Sequence, residues 1–307
     1  MNCDISVVVP LYNKEREIAR SLHSVLAQTL PPLEIIVVDD GSTDGSAREV
    51  ERLASPLVRL VRQENRGVSA ARNRAIGEAR GTWVALLDGD DRWEPGYLAE
   101  IARLIDRYPG CGAYACSFLI DDGRTLTPGD TPRTEGIVDF FAESLSRYVL
   151  IPSSTTLRRD LTLRLGGFPE GMRMGEDQYL WTRIARTAPV CFSPARLAVY
   201  SKAADNRSAA IYRPEQTRFS FEELYDPSAD EQSNEYVARA ALGKALGASA
   251  KGGTQEAARA ARFFAYTRHS RRTLRKLRLL NALPANWRAP LLELYNRLAW
   301  AIARKGL

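Results

Sequence analysis

The sequence predicts an α/β fold built on a mostly parallel sheet. Short apolar, β-branched runs alternate with amphipathic segments along the front of the chain, which is the arrangement of βαβ units. Apolar residues make up 45% of the 307 residues, enough for a sizeable core. Polar clusters follow three of the runs, and ligands of such sheets bind beyond the carboxyl ends of the strands.

The predicted elements follow from this alternation. The first strand is Ile5–Pro10, so we interpret the amino terminus as a strand and not as a signal peptide. Further strands are predicted at Glu34–Asp39, Val58–Val61, Trp83–Leu87 and Ala113–Ile120. Helices are predicted at Glu15–Thr29, after a capping box at Ser46 and Glu49, at Val68–Ala79 and at Glu94–Asp106, and Thr125–Pro132 is predicted to be a turn-rich loop.

The residue types available limit the chemistry. The chain has only two histidines and four scattered cysteines with no CxxC pair, which argues against a histidine-based triad, a zinc site or a disulfide framework. No apolar run is long enough to predict a transmembrane helix. Acid–base and metal chemistry is therefore expected to depend on carboxylates.

The most informative acidic motif is Asp88-x-Asp90, which follows an apolar strand. In an extended segment both carboxylates would point the same way, and such a pair favours a bound cation. Mg²⁺ and Mn²⁺ prefer oxygen ligands and often share their shell with phosphate. The alternative is an acidic turn before the helix at Glu94, with Asp91 as its cap.

Two further acidic motifs occur in similar contexts. Asp39 and Asp40 follow the second strand, where a carboxylate can bind ribose or a base N–H, or can simply close an Asx turn. Glu176 and Asp177 open an amphipathic segment. Such a pair can interact with the helix dipole or can act as a general base for an acceptor hydroxyl.

Together these segments resemble the family-2 glycosyltransferases, which have the GT-A fold. The resemblance covers about residues 4–205 and includes SVVVPLYNKEREIARSLHSVLAQT, EIIVVDDGSTDGS, NRGVSAARNRAIGEARGTWVALLDGDDRWEP and GGFPEGMRMGEDQYLWTRIA. It implies a catalytic domain at 1–210, with a nucleotide-binding half at 1–110 and an acceptor-binding half at 111–210. A basic helical region would follow at 211–307.

The resemblance also implies roles for individual residues. Pro10, Tyr12 and Asp40 would line the nucleoside pocket with Asp39 adjacent, and Arg72 and Asn73 would lie near the donor. Asp88 and Asp90 would hold the sugar-nucleotide and a Mn²⁺ or Mg²⁺ ion, with Asp90 as the direct ligand. Asp177 would be the base of an inverting reaction, with Glu176 beside the acceptor. The donor expected is a nucleotide-diphosphate sugar, commonly a UDP-sugar, and the acceptor a glycan or a lipid-linked glycan.

One departure from the family pattern concerns closure of the site. The family often has a histidine near the diphosphate after the last catalytic strand, whereas this chain reads VYSKAADNRSAA there. Lys202, Asn206 or Arg207 are candidates to replace it.

Other classes of protein fit the sequence less well. The loop after the first strand has no GxGxxG and the chain has no GxxxxGK[ST], which argues against a dinucleotide-binding oxidoreductase and a P-loop NTPase. A glycoside hydrolase also uses two carboxylates, but it does not need a diphosphate-type rim. A non-catalytic nucleotide-sugar-binding subunit stays open as the alternative.

The carboxyl-terminal region differs from the rest in charge. Residues 251–307 contain thirteen Lys or Arg and two acidic residues, so their net charge of +11 contrasts with −5 for the remainder. Leu274 and Leu277 lie among arginines, and Pro290 is predicted to start a helix with an apolar stripe. This pattern favours an anionic membrane surface bound through residues 268–305, packing of the leucine stripe on the catalytic domain, or a homodimer. Because leucines outnumber stacking aromatics, we do not expect nucleic-acid binding, and we expect a cytoplasmic protein, peripheral on the inner face of the plasma membrane.

Overall fold

The computed structural model describes residues 4–203 and 220–304. These residues form two compact units, one described over residues 4–171 and 176–203 and the other over residues 172–175 and 220–304. The predicted boundary near residue 210 lies outside the described residues.

The first unit is an α/β domain that follows the predicted alternation. Its strands are β1 (Ile5–Leu11), β2 (Glu34–Asp40), β3 (Val58–Gln63), β4 (Trp83–Leu86), β5 (Arg92–Trp93), β6 (Ala113–Asp121), β7 (Leu126–Pro128), β8 (Gly136–Val138), β9 (Thr155–Arg158) and β10 (Val190–Ser201). Its helices are α1 (Ile18–Leu26), α2 (Ser46–Arg52), α3 (Val68–Glu78), α4 (Tyr97–Arg107), α5 (Phe140–Ser144), α6 (Arg159–Arg164) and α7 (Glu176–Thr187).

All ten strands belong to one mixed sheet. The order is β3-β2-β1-β4-β9-β6-β10-β5, with β7 paired to β6 and β8 paired to β10. Strands β1 to β4 are parallel to one another, so their carboxyl ends meet at a single edge, which we call the rim. Strand β9 is antiparallel to both of its neighbours, and it joins the parallel front to the pair β6 and β10.

Three predictions about helix starts in this unit are wrong. Helix α1 begins at Ile18 and not at Glu15. Helix α2 begins at Ser46 with Gly45 at its N-cap and no side-chain cap, because the Ser46 hydroxyl donates to Asp44 instead. Helix α4 begins at Tyr97 and not at Glu94, and its N-cap is Gly96. Asp91 does not cap it, since that carboxylate is buried and bonded elsewhere. The loop predicted at Thr125–Pro132 contains strand β7.

The second unit is helical, as predicted. Beyond a short 3-10 turn at Phe221–Leu224, it contains α8 (Glu231–Ala250), α9 (Thr254–Phe263), α10 (Arg271–Ala282) and α11 (Ala285–Arg304), with a second 3-10 turn at Phe264–Tyr266. Leu274 and Leu277 are buried within this unit. They pack against other helices of this unit, so these two leucines do not face a membrane.

The start of the last helix also differs from the prediction. Helix α11 begins at Ala285, and Pro290 lies inside it. The preceding helix ends at Ala282 because Leu283 adopts the extended conformation favoured before Pro284. Among the described residues, no helix is long and apolar enough to cross a bilayer.

Candidate active site

The rim brings three of the predicted polar clusters together. Strand β1 pairs with both β2 and β4, so the segments after Leu11, Asp40 and Leu86 are neighbours. The Asn13 side chain accepts a hydrogen bond from the Thr43 N–H at 2.8 Å, which links the first two segments. The close approach of Gly89 to the Pro10 carbonyl, where an added Cβ would lie 3.4 Å from the oxygen, links the first and third.

The Asp88–Asp91 segment is a turn and not an extended strand end. The Asp91 N–H donates to the Asp88 carbonyl at 3.0 Å, so the expected alternation of side chains does not apply. The carboxylates of Asp88 and Asp90 bind different cationic side chains. Asp88 accepts a hydrogen bond from Arg72 at 2.6 Å, and Asp90 accepts one from the Lys14 ammonium at 2.7 Å.

Arg72 connects the rim to the start of helix α7. Its buried guanidinium pairs with Asp88 through one nitrogen and with Glu176 at 3.2 Å through another, and it lies over the Phe168 ring at 5.1 Å. The two carboxylates hold the pKa of Arg72 well above its ordinary value, although burial opposes this. The Arg72 side chain therefore remains charged and joins predicted donor-side and acceptor-side acids.

Asn73 fixes the same segment one residue further along α3. Its amide exchanges two hydrogen bonds of 2.8 Å with the backbone of Phe168. Gly167 has a φ of +68°, and a Cβ there would lie 2.4 Å from the Asn73 oxygen. Glu170 accepts hydrogen bonds from both Asn73 and Arg66. Asn73 thus positions the chain that leads towards Glu176 and Asp177, and its amide is committed to protein groups.

Asp177 has the electrostatics expected of a general base near neutral pH. Its residue is half-buried, and removal of water from the carboxyl raises the pKa of Asp177 to about 7. The nearby Glu176 charge contributes to the same upward shift, and the Gln178 N–H and Arg72 oppose it. A base is most effective when its pKa lies near the working pH.

Asp40 and Asp39 mainly organise the rim. The buried Asp40 carboxylate accepts hydrogen bonds from the Gln63 amide and from the backbone N–H groups of Arg66 and Gly67, all within 2.8 Å. Asp39 accepts the Ser42 N–H at 3.0 Å, which is the geometry of an Asx-type turn. Pro10 and Tyr12 are half-buried at the end of β1.

Asp91 is a buried acid within the rim. Ser153 donates to one of its oxygens at 2.5 Å, and the Ser201 N–H donates to the other at 2.7 Å. Burial, with the neighbouring Asp90 and Asp88 charges, raises the pKa of Asp91 well above its ordinary range. Ser153 also accepts the Asp88 N–H, so it orients the turn that carries the predicted metal ligand.

The acids at the rim suit a cation whose coordination shell is completed by oxygen atoms of the substrate. The described residues contain no group of three or more His, Cys, Asp or Glu side chains able to enclose a metal. Mg²⁺ sites in phosphate chemistry usually need only one or two carboxylates with waters and phosphate oxygens. Asp90 and Asp88 are the carboxylates that would supply such a site, in which the cation would replace Lys14 as the partner of Asp90.

Several contacts at the site could not be predicted from motifs. Lys14, Ser153, Phe168 and Ser201 have no distinctive local spacing, although Lys14 and Phe168 lie inside segments quoted for the family resemblance. Arg20 was also missed, and it donates to the Asp90 carbonyl at 2.8 Å. Of the candidates to replace a histidine, Lys202 has an exposed side chain and donates its N–H to Asp121, whereas Asn206 and Arg207 lie outside the described residues.

Solved structures with a similar fold are glycosyltransferases of the GT-A class. Staphylococcus aureus TarS, residues 1–349 in complex with UDP-GlcNAc, aligns with a TM-score of 0.61 at 24% identity over 80% of this chain and 70% of that one. The mannosyltransferase PcManGT of Pyrobaculum calidifontis, solved with GDP-Man and Mn²⁺, aligns with a TM-score of 0.52 at 22% identity over 97% of this chain and 75% of that one. The mixed sheet flanked by helices is the GT-A fold.

The chain belongs to glycosyl transferase family 2, whose family model matches residues 6–180. Curated relatives include the succinoglycan biosynthesis protein ExoO of Rhizobium meliloti, 41% identical over 40% of this chain and 36% of the relative. The putative teichuronic acid biosynthesis glycosyltransferase TuaG of Bacillus subtilis is 35% identical over 40% of this chain and 50% of the relative. The chain thus matches at most half of the length of these two relatives.

Proposed function

We propose that this protein is a metal-dependent, inverting glycosyltransferase that moves a sugar from a nucleotide-diphosphate sugar to an acceptor hydroxyl. The observation that carries the proposal is the contact of Arg72 with both Asp88 and Glu176. Through one buried arginine, the acid expected at the donor is held beside the segment that carries the expected base.

The residues divide the reaction between them. Asp177 takes the proton from the acceptor hydroxyl as its oxygen attacks the anomeric carbon, and Glu176 lies beside the acceptor. Asp90, with Asp88, would hold the cation, and Lys14, which pairs with Asp90 in this structure, would be available to the diphosphate. When bound, Mn²⁺ or Mg²⁺ supplies charge neutralisation for the leaving diphosphate. A single displacement inverts the anomeric configuration.

The donor and acceptor classes follow from similar proteins. TarS was solved with UDP-GlcNAc and PcManGT with GDP-Man, and we infer a UDP-sugar as the donor here. The names of ExoO and TuaG refer to succinoglycan and teichuronic acid biosynthesis. We infer an acceptor of the same kind, a glycan or lipid-linked glycan of a bacterial surface polysaccharide, modified at the cytoplasmic face of the membrane.

A screen of nucleotide-sugars tests the proposal. Each donor would be added with Mn²⁺ and the purified chain, and both thermal stabilisation and release of the nucleoside diphosphate would be measured. We expect one nucleotide class to raise the Tm and to be hydrolysed slowly, with both effects lost in excess chelator. Stabilisation without hydrolysis or transfer to any glycan acceptor would favour the non-catalytic binding subunit instead.

A further inference from the structure

Helix α11 presents an apolar stripe to solvent. Trp287, Leu291 and Leu294 follow one another at helical spacing, and Trp287 and Leu294 are 60% and 53% exposed. Side chains spaced by four and three residues lie on one face of a helix. An exposed apolar face of this kind indicates a binding surface more often than an ordinary solvated helix.

The orientation of this helix is fixed by a buried arginine. Arg288 is almost fully buried, and its guanidinium donates to the carbonyls of Leu283, Ser249 and Asn281 and to the Thr254 hydroxyl. These acceptors belong to the ends of neighbouring elements in the same unit. Arg288 therefore occupies the inner face of α11. If the helix rotated to bury its apolar stripe, the charged Arg288 side chain would lose its hydrogen-bond acceptors.

The neighbouring helix α10 supplies positive charge beside the stripe. Its outer face carries four exposed arginines and Leu279, which is 71% exposed. Lys276 lies 3.9 Å from the centre of the Tyr295 ring, so α10 and α11 run side by side. The arginines are Arg271, Arg272, Arg275 and Arg278.

We propose that α10 and α11 bind an anionic lipid surface, with Trp287, Leu291, Leu294 and Leu279 inserted at the level of the headgroups and the four arginines on lipid phosphates. Apolar side chains flanked by arginines suit this interface. A second copy of the chain is a poorer partner, because a two-fold interface places the same patch on both sides and would bring the arginines together. The inference does not rest on glycosyl transfer, since lipid binding needs neither donor nor acceptor.

Vesicle co-sedimentation of the full chain tests this surface. Vesicles of phosphatidylcholine alone would be compared with vesicles that also contain phosphatidylglycerol, at low and high salt. We expect binding only to the anionic vesicles. The double variant Trp287→Ser, Leu294→Ser should weaken binding to anionic vesicles at least about tenfold. The double variant Arg271→Gln, Arg275→Gln should weaken it about 25-fold, which is about fivefold for each arginine. The matched control is Leu126→Ser with Ile137→Ser, two exposed apolar residues of the catalytic unit.

Each result decides the question. Loss of binding in both test variants but not in the control, with unchanged circular dichroism, supports the lipid surface. Negligible binding of the unmodified chain to anionic vesicles at low salt overturns it, as does equal loss in the control. A dimer in light scattering that Leu294→Ser dissociates, without vesicle binding, would assign the stripe to a second copy.

Discussion

The acids on the two sides of the candidate site differ in how their charge is satisfied. On the donor side, Asp40 has three N–H donors, Asp88 has Arg72 and Asp90 has Lys14. On the acceptor side, Asp177 has the backbone N–H of Gln178 and a neighbouring carboxylate, and the pKa of its carboxyl is raised to about 7. These three carboxylates of the predicted donor side therefore have N–H or cationic partners for their charge, whereas Asp177 on the predicted acceptor side has one backbone donor and a raised pKa.

The largest effect is expected at Asp90. Asp90→Ala removes the proposed direct metal ligand, so transfer should be abolished and nucleotide binding in Mn²⁺ should weaken. Calorimetric titration of nucleotide with and without Mn²⁺ would measure the second effect. Full activity of the unmodified protein in excess chelator would contradict the metal role.

Asp177→Asn should be next in size and should separate catalysis from binding. We expect kcat to fall about 10²–10⁴-fold, the range for loss of a general base, with donor affinity retained. In the unmodified protein, kcat should fall as the pH is lowered through about 7, because Asp177 then becomes protonated. If Asp177→Asn is active and Glu176→Gln is inactive, the base is Glu176.

The same substitution should affect stability in the opposite direction. A carboxyl whose pKa is raised by folding destabilises the folded state as pH rises from its unfolded pKa, near 4, to its folded pKa. This loss of stability reaches its full size above about pH 7. Asp177→Asn should therefore raise the Tm at pH 8 relative to the unmodified protein and lose that advantage near pH 4. An unchanged Tm difference across this range would show that Asp177 is not buried as a charge.

Asp40→Ala should act mainly on stability. Removing this buried carboxylate leaves three partly buried donors in the Gln63–Gly67 segment without their acceptor, which costs about 1–3 kcal/mol. Urea unfolding would measure the loss. Asp106→Ala is the control, because Asp106 is exposed on α4 and such changes usually stay within about 0.5 kcal/mol. If Asp40→Ala has normal stability but has lost affinity for the nucleotide, Asp40 acts in the nucleoside pocket and not in stabilising the rim.

The smallest effect is expected at Lys14, and it is a gain. The Lys14 and Asp90 side chains are 11% and 15% exposed and form a 2.7 Å ion pair, so Lys14 competes with a cation for that carboxylate. Without nucleotide, Lys14→Met should tighten Mn²⁺ binding about three- to tenfold, as removal of one such pair allows. Paramagnetic resonance titration would show it. Lys202→Met is the control, and weaker Mn²⁺ binding in Lys14→Met would contradict the competition.

Of the features that depend on local pattern, the structure confirms two, whereas the predicted cap of α2, the start of α4 and the extended Asp88–Asp90 segment are wrong. The alternation of strands and helices and the convergence of polar clusters at one edge both follow from periodicity and strand polarity. The contacts that complete the site do not follow, because their partners are far apart in sequence. Ser153 meets Asp91 across 62 residues, and Asn73 meets Phe168 across 95. Neither Ser153 nor Phe168 has a spacing that distinguishes it from other core residues.

The hydrogen bond between Ser201 and Asp91 has a consequence for protein engineering and for synthesis on the ribosome. Asp91 is a buried acid of the predicted nucleotide-binding half, yet one of its two donors is supplied 110 residues later, at the end of β10. Strand β5, in the same half, pairs only with β10 among the described residues. A nascent chain that ends near residue 110 therefore lacks the groups that close its acidic turn, and chimaeras that exchange donor specificity at that point must carry Ser153 and Ser201 with the turn they complete.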